Sequence, residues 1–133
     1  MCTAEKKNRS PHQPTGQWIR ADKRLAIYLR DRLTCLYCLA DLHGADPADI
    51  TLDHIVCRAD GGSNESSNLI TACRACNSSR QDQPLARFAG RETRAHIRRN
   101  LGRDLKKYRV LAKAIIAGEC GFEEGIPDEA RAS

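Results

Sequence analysis

The apolar positions of this chain change their period several times. Leu25, Leu29 and Leu33 recur every four residues with Ala26 on the same side. That is a helical stripe, with Asp22 placed to cap its start, and it runs into Cys35. Further on, Ile50, Leu52, His54 and Val56 alternate with Thr51, Asp53 and Ile55, which predicts a strand over Ile50–Ile55. Asp60-Gly61-Gly62-Ser63-Asn64 is a strong turn signal, and Asn68–Ala72 reads as a second strand. A short helix follows over Arg74–Gln81, stopped ahead of Pro84. Beyond Phe88 the period is helical again. Arg91–Asn100 forms one segment, ended by Leu101-Gly102, and Leu105, Tyr108, Leu111, Ala112, Ile115 and Ile116 form an apolar stripe whose simplest use is packing onto the domain. Residues 1–20 have no apolar period and read as a flexible basic arm.

With 133 residues, the chain has room for one domain and little more. It holds one Trp, three Tyr and two Phe, so its core is limited, and small cores of this kind are commonly held by metal or disulfides. The seven cysteines are therefore the first chemical question. No apolar run resembles a signal peptide or a membrane span, so a cytoplasmic protein without membrane contact is expected. In that compartment cysteines bind metal or do chemistry more often than they form disulfides.

The net charge of +5 is unevenly spread. The stretch 119–133 carries −4 and is expected to be an acidic disordered tail. Residues 87–113 hold ten Lys or Arg against Glu92 and Asp104. A block of this sign suits a polyanion, most simply nucleic acid, although a solvated helix surface gives the same pattern. The expected organisation is an arm (1–20), a core domain (21–86), a basic helical extension (87–118) and the tail (119–133).

Cys35-Leu36-Tyr37-Cys38 and Cys73-Arg74-Ala75-Cys76 are two C-x₂-C pairs. Two such pairs fill the four positions of a tetrahedral Zn²⁺, and a filled site is structural. One zinc per chain is the expectation, with two redox motifs or two disulfides as the alternatives. Cys2, Cys57 and Cys120 have no matching spacing and read as ordinary thiols. The gap from Cys38 to Cys73 exceeds common zinc-ribbon spacing, so a segment is inserted between the knuckles.

That insertion carries Asp53-His54-Ile55, the Gly61-Gly62 turn and Asn68-Leu69, and the second knuckle ends in Cys76-Asn77. Taken together, these residues resemble the HNH endonuclease family, particularly its four-cysteine bacterial and phage members, over roughly Arg32 to Gln83. The resemblance implies an α+β fold. Its core would be a small ββα-metal unit with a four-cysteine structural zinc site, flanked by an N-terminal helix and a C-terminal helical extension. It also implies roles. His54 would be the general base that activates water, and Asp53 a ligand of the catalytic metal. Asn68 would fix the loop holding the base, and Asn77 would be the second metal ligand where many members use His. Products would carry 5′-phosphate and 3′-hydroxyl ends. Cys57 departs from the Pro that many members carry after Asp-His-Ile-x.

The chemistry agrees with those roles. A neutral imidazole accepts a proton near physiological pH, and a site of Asp and Asn oxygens suits Mg²⁺ or Mn²⁺. Arg80, one turn past Asn77, is expected to touch substrate phosphate. Arg91, Arg94, Arg98, Lys106 and Lys107 are the candidate contacts to flanking DNA. A competing reading keeps the scaffold as a catalytically inactive zinc-dependent nucleic-acid-binding module or a phage-assembly interaction module. A single site of this kind cuts one strand, so double-strand cleavage would call for a dimer or a partner protein.

Overall fold

The computed structural model describes residues 19–119. The arm up to residue 18 and the tail from residue 120 lie outside them. Helix α1 spans Ala21–Arg30, shorter than the apolar stripe suggests. Its N-cap is Arg20, without a side-chain cap, and not Asp22. Asp22 sits instead in the first turn, where a carboxylate suits the positive helix end, and it meets Arg109 at 3.4 Å. The helix stops because Arg32 (φ 60°) and Leu33 (φ 48°) turn left-handed. Such φ values cost a non-glycine residue about 1–2 kcal/mol each. Burial of Leu33 and a Leu33 N–H bond to the Tyr28 carbonyl at 2.8 Å oppose that cost.

Strand β1 (Ile50–His54) pairs antiparallel with β2 (Leu69–Cys73), matching Asp53 with Ile70 and His54 with Leu69. Helix α2 (Arg74–Arg80) follows β2 directly and completes a ββα unit. A four-residue helix, α3 (Leu85–Phe88), has no counterpart in the pattern of apolar positions. Helices α4 (Arg91–Leu101) and α5 (Leu105–Ile116) fall where the apolar period places them. Asp104 caps α5 by accepting from the Lys106 N–H.

The second strand forms the spine of the core. Leu69, Ile70, Thr71 and Ala72 are all buried. Ile70 packs with Leu36 and with Ile97 of α4, and Ala72 packs with Cys35 and Leu42 of the first knuckle. Helices α1 and α5 form a separate layer in which Ala26 and Leu29 meet Tyr108 and Ala112. Leu105, Leu111 and Ile115 pack against it, while Ile116 of the same stripe is exposed.

A buried ion pair fastens α1 to this spine. Arg30 Nε donates to Asp31 Oδ1 at 2.8 Å and Arg30 Nη2 to Asp31 Oδ2 at 3.1 Å. The guanidinium also reaches the carbonyls of Ser66 and Leu69, and Asp31 accepts the Thr71 N–H at 2.9 Å. Both charges are therefore satisfied within the fold, as burial demands. No helix among the described residues is long and apolar enough to cross a membrane.

Candidate active site and metal centre

The first knuckle is a tight reversal between α1 and β1. The Cys35 N–H bonds to the Ala40 carbonyl, the Leu39 N–H bonds to the Cys35 carbonyl, and Leu39 takes φ 65°. A Leu36 N–H bond to the Thr71 carbonyl at 3.1 Å ties it to β2. In the second knuckle, Cys73 caps α2 and its sulfur accepts from the Cys76 N–H at 3.4 Å. The four sulfurs of Cys35, Cys38, Cys73 and Cys76 lie within 4.8 Å of one another, and Cys38 and Cys73 stand 3.9 Å apart. A tetrahedron with Zn–S bonds of about 2.3 Å has edges of about 3.8 Å. The cluster fits one zinc ion, and these four thiols are free of disulfides. Cys57 differs from the expected plain thiol in being disulfide-bonded.

Asp53 is the one buried residue of β1, 6 % exposed. The alternation of the strand suggests the reverse, with Ile50, Leu52 and His54 facing inward and Val56 continuing that face. In the structure Val56 is exposed. Asp53 can be buried because two donors meet it. Arg80 Nη1 lies 2.7 Å from Oδ2, and the Tyr37 hydroxyl donates to the same oxygen. Burial first, and then the negative charge of Asp53, holds the Tyr37 hydroxyl well above the usual phenol range, so it stays a donor. Phe88 of α3 meets the Tyr37 ring edge-on at 5.0 Å, which gives the unanticipated helix a place in the site.

Arg80 is where the expectation and the structure part. Instead of facing phosphate, it is 2 % exposed. Besides Asp53 its guanidinium donates to the Tyr37 oxygen (3.2 Å) and to the carbonyls of His54 (2.9 Å), Ile55 and Gln83 (3.0 Å). Its nearness in sequence to Asn77 says nothing of its direction. At the end of a seven-residue helix packed on β1, it turns inward, toward the backbone that carries Asp53 and His54.

His54 is half-buried at the end of β1, and its Nε2 lies 2.7 Å from Asn64 Oδ1. Asn68 cinches the intervening loop. Its Oδ1 accepts the Val56 N–H at 2.8 Å, and its Nδ2 donates to the carbonyls of Val56 (3.0 Å) and Ser63 (2.8 Å). The loop closes so tightly that a Cβ on Gly62 would lie 1.7 Å from the Val56 carbonyl oxygen, so only glycine fits there. Gly61 supplies the left-handed turn at φ 92°. Asn77 is buried on α2, with Nδ2 donating to Thr51 Oγ1 at 2.9 Å and to the Leu52 carbonyl at 3.3 Å. This places the amide against the residue before Asp53.

The candidate nucleic-acid contacts are on α4 and α5. Arg91 and Arg98 are exposed on α4, with Arg94 half-buried between them, at spacings that share one helical face. Lys106 and Lys107 are exposed in the first turn of α5. A further gathering of cations surrounds His96. Burial first, then Arg99, Arg32 and Arg103, holds its imidazole below the ordinary range.

Residues 35–83 match the family model for HNH endonucleases. The matched HNH segment spans both knuckles, the two strands and α2. It supports a nuclease-type function. No curated protein and no solved structure gives a match. Within the segment, Tyr37 and Asn64 are the residues that sequence reasoning missed. Tyr37 lies inside the C-x₂-C pair and reads as filler there, and Asn64 reads as part of a turn.

Proposed function

We propose that this protein is an endonuclease that hydrolyses DNA phosphodiester bonds, with His54 as general base and one structural zinc held by the four cysteines. The observation that carries this reading is the burial of Asp53 beside His54 within the HNH segment. Burying a carboxylate costs several kcal/mol of desolvation, and replacing the Asp53–Arg80 pair as a whole by well-packed apolar side chains would hold the sheet about as well. The fold keeps the charge and surrounds it with a dedicated guanidinium and phenol, as functional sites do.

Asp53 and Asn77 supply oxygen donors only, which fits a hard divalent cation such as Mg²⁺ or Mn²⁺. When bound, such an ion neutralises charge developing on the phosphate and on the departing 3′ oxygen. The remaining steps belong to the chain. Arg80 and Tyr37 hold Oδ2 of Asp53 and so fix how its other oxygen is presented. Asn77 is fixed through its Nδ2, which orients its carbonyl oxygen. His54, kept in place by the loop that Asn68 closes, takes the proton from the attacking water. Arg91, Arg94, Arg98, Lys106 and Lys107 grip the phosphates of flanking duplex and fix register without reading sequence. One such site per chain cuts one strand, and a double-strand break requires a second copy or a partner.

Two measurements test the reading. Supercoiled plasmid should be nicked with Mg²⁺ or Mn²⁺ and left intact with EDTA; intact plasmid under every divalent ion tried would sink it. Duplex affinity should fall steeply with salt, and replacing Arg91, Arg94 and Arg98 by Ala should flatten the log–log slope by about one for each phosphate no longer gripped. An unchanged slope would remove that helix face from the interface.

A further inference from the structure

The imidazole of His54 has two nitrogens, and only the one without a proton can act as a base. The structure assigns that choice to Asn64. Its Oδ1 lies 2.7 Å from His54 Nε2. A side-chain amide oxygen only accepts hydrogen bonds, so Nε2 must carry the proton and Nδ1 is left as the acceptor. We propose that Asn64 is a positioning residue that locks His54 in the Nε2–H tautomer and aims Nδ1 at the water; this rests on His54 being the base.

Three features make Asn64 a fixed partner for His54. Asn68 binds the Ser63 carbonyl, immediately before Asn64, and the backbone at Val56, two residues past His54. The close approach of Gly62 to the Val56 carbonyl holds the same loop in register. From the other side, Lys23 of α1 donates its ammonium to the Asn64 carbonyl. The Asn64 backbone is thus tied both to the ββα unit and to the helix outside the matched segment. The amide also satisfies the Nε2–H without adding charge. As Nδ1 gains the proton, the Nε2–H bond to Asn64 becomes charge-assisted and strengthens.

The test uses the full chain, zinc-loaded and with ¹⁵N-labelled histidine. Long-range ¹H–¹⁵N spectra should show His54 of the wild type as the Nε2–H tautomer. Asn64→Ala should give a mixed tautomer population and lower kcat about 10- to 100-fold with little change in KM. Asn64→Asp, which keeps an acceptor at that place, should restore the Nε2–H form. An Nδ1–H tautomer in the wild type, or an Asn64→Ala spectrum identical to wild type, would overturn the assignment. The spectra stand without catalysis. A wild type that shows the Nε2–H form yet cuts no DNA contradicts the nuclease reading and leaves the role of Asn64 in holding the tautomer intact.

Discussion

Chelating the zinc, or replacing Cys73 with Ser, is expected to unfold the HNH segment cooperatively. Structural zinc in small domains contributes about 10–16 kcal/mol of apparent binding energy, comparable with or larger than the ~5–15 kcal/mol by which whole domains are stable. Here the aromatic core is thin, and the four-cysteine cluster brings together segments far apart in sequence. Cys35 and Ala72 lie in one apolar cluster with Cys73 and Cys76 against it, so the knuckles are part of the core itself. The consequence reaches the candidate site. Tyr37 stands between the two cysteines of the first knuckle, and Arg80 is four residues past Cys76 on α2. Both donors to Asp53 therefore depend on the cluster. Circular dichroism and thermal melting, followed with zinc release, check this. About one zinc should leave per chain as the structure melts. An unchanged melting temperature after complete zinc loss would show that the cluster is dispensable.

Replacing Arg80 with Ala is expected to be the most damaging single change among residues that bind no metal. It would leave Asp53 as a buried charge with one neutral donor, and breaking a buried pair in this way costs about 3–5 kcal/mol. It would also free the carbonyls of His54, Ile55 and Gln83 from their donor. Arg80→Lys should recover only part of the loss, because a single ammonium cannot span these acceptors. Adding Asp53→Asn to Arg80→Ala should regain stability by removing the uncompensated charge, while leaving the protein unable to cleave DNA. Denaturant titration of the two single variants and the double variant gives the coupling energy directly. Additive losses would show that Arg80 and Asp53 do not act as a pair.

The parts of this site legible in sequence are those set by spacing. The two cysteine pairs declare themselves because metal-ligand spacing dictates how far apart they stand, whereas Asp53, His54 and Asn68 are commonplace singly and stand out only through their joint resemblance to the HNH family. Strands and helices fall close to where the apolar period places them. What sequence hid was direction. Arg80 and Arg91 are equally plausible phosphate contacts on paper, yet one is buried against β1 and the other is exposed. Nothing local distinguishes them, since the difference lies in which tertiary acceptors wait for the side chain. The inward turn of Asp53 was hidden likewise, because a buried carboxylate is permitted only by partners at positions 37 and 80. The end of α1 was hidden because two non-glycine residues take left-handed backbone there. Arg30 and Asp31 drew no expectation from sequence and form the buried link between α1 and β2.

Base catalysis by His54, as proposed above, should take place on a scaffold whose integrity does not need that side chain. The most direct measurement compares single-turnover cleavage of supercoiled plasmid by wild type and His54→Ala in the same divalent ion, with zinc content and melting temperature determined on both. His54→Ala should lose about 10²–10⁴-fold in rate, with about one zinc per chain in each protein and closely similar stability. Cleavage by a folded, zinc-loaded His54→Ala at the wild-type rate would contradict it.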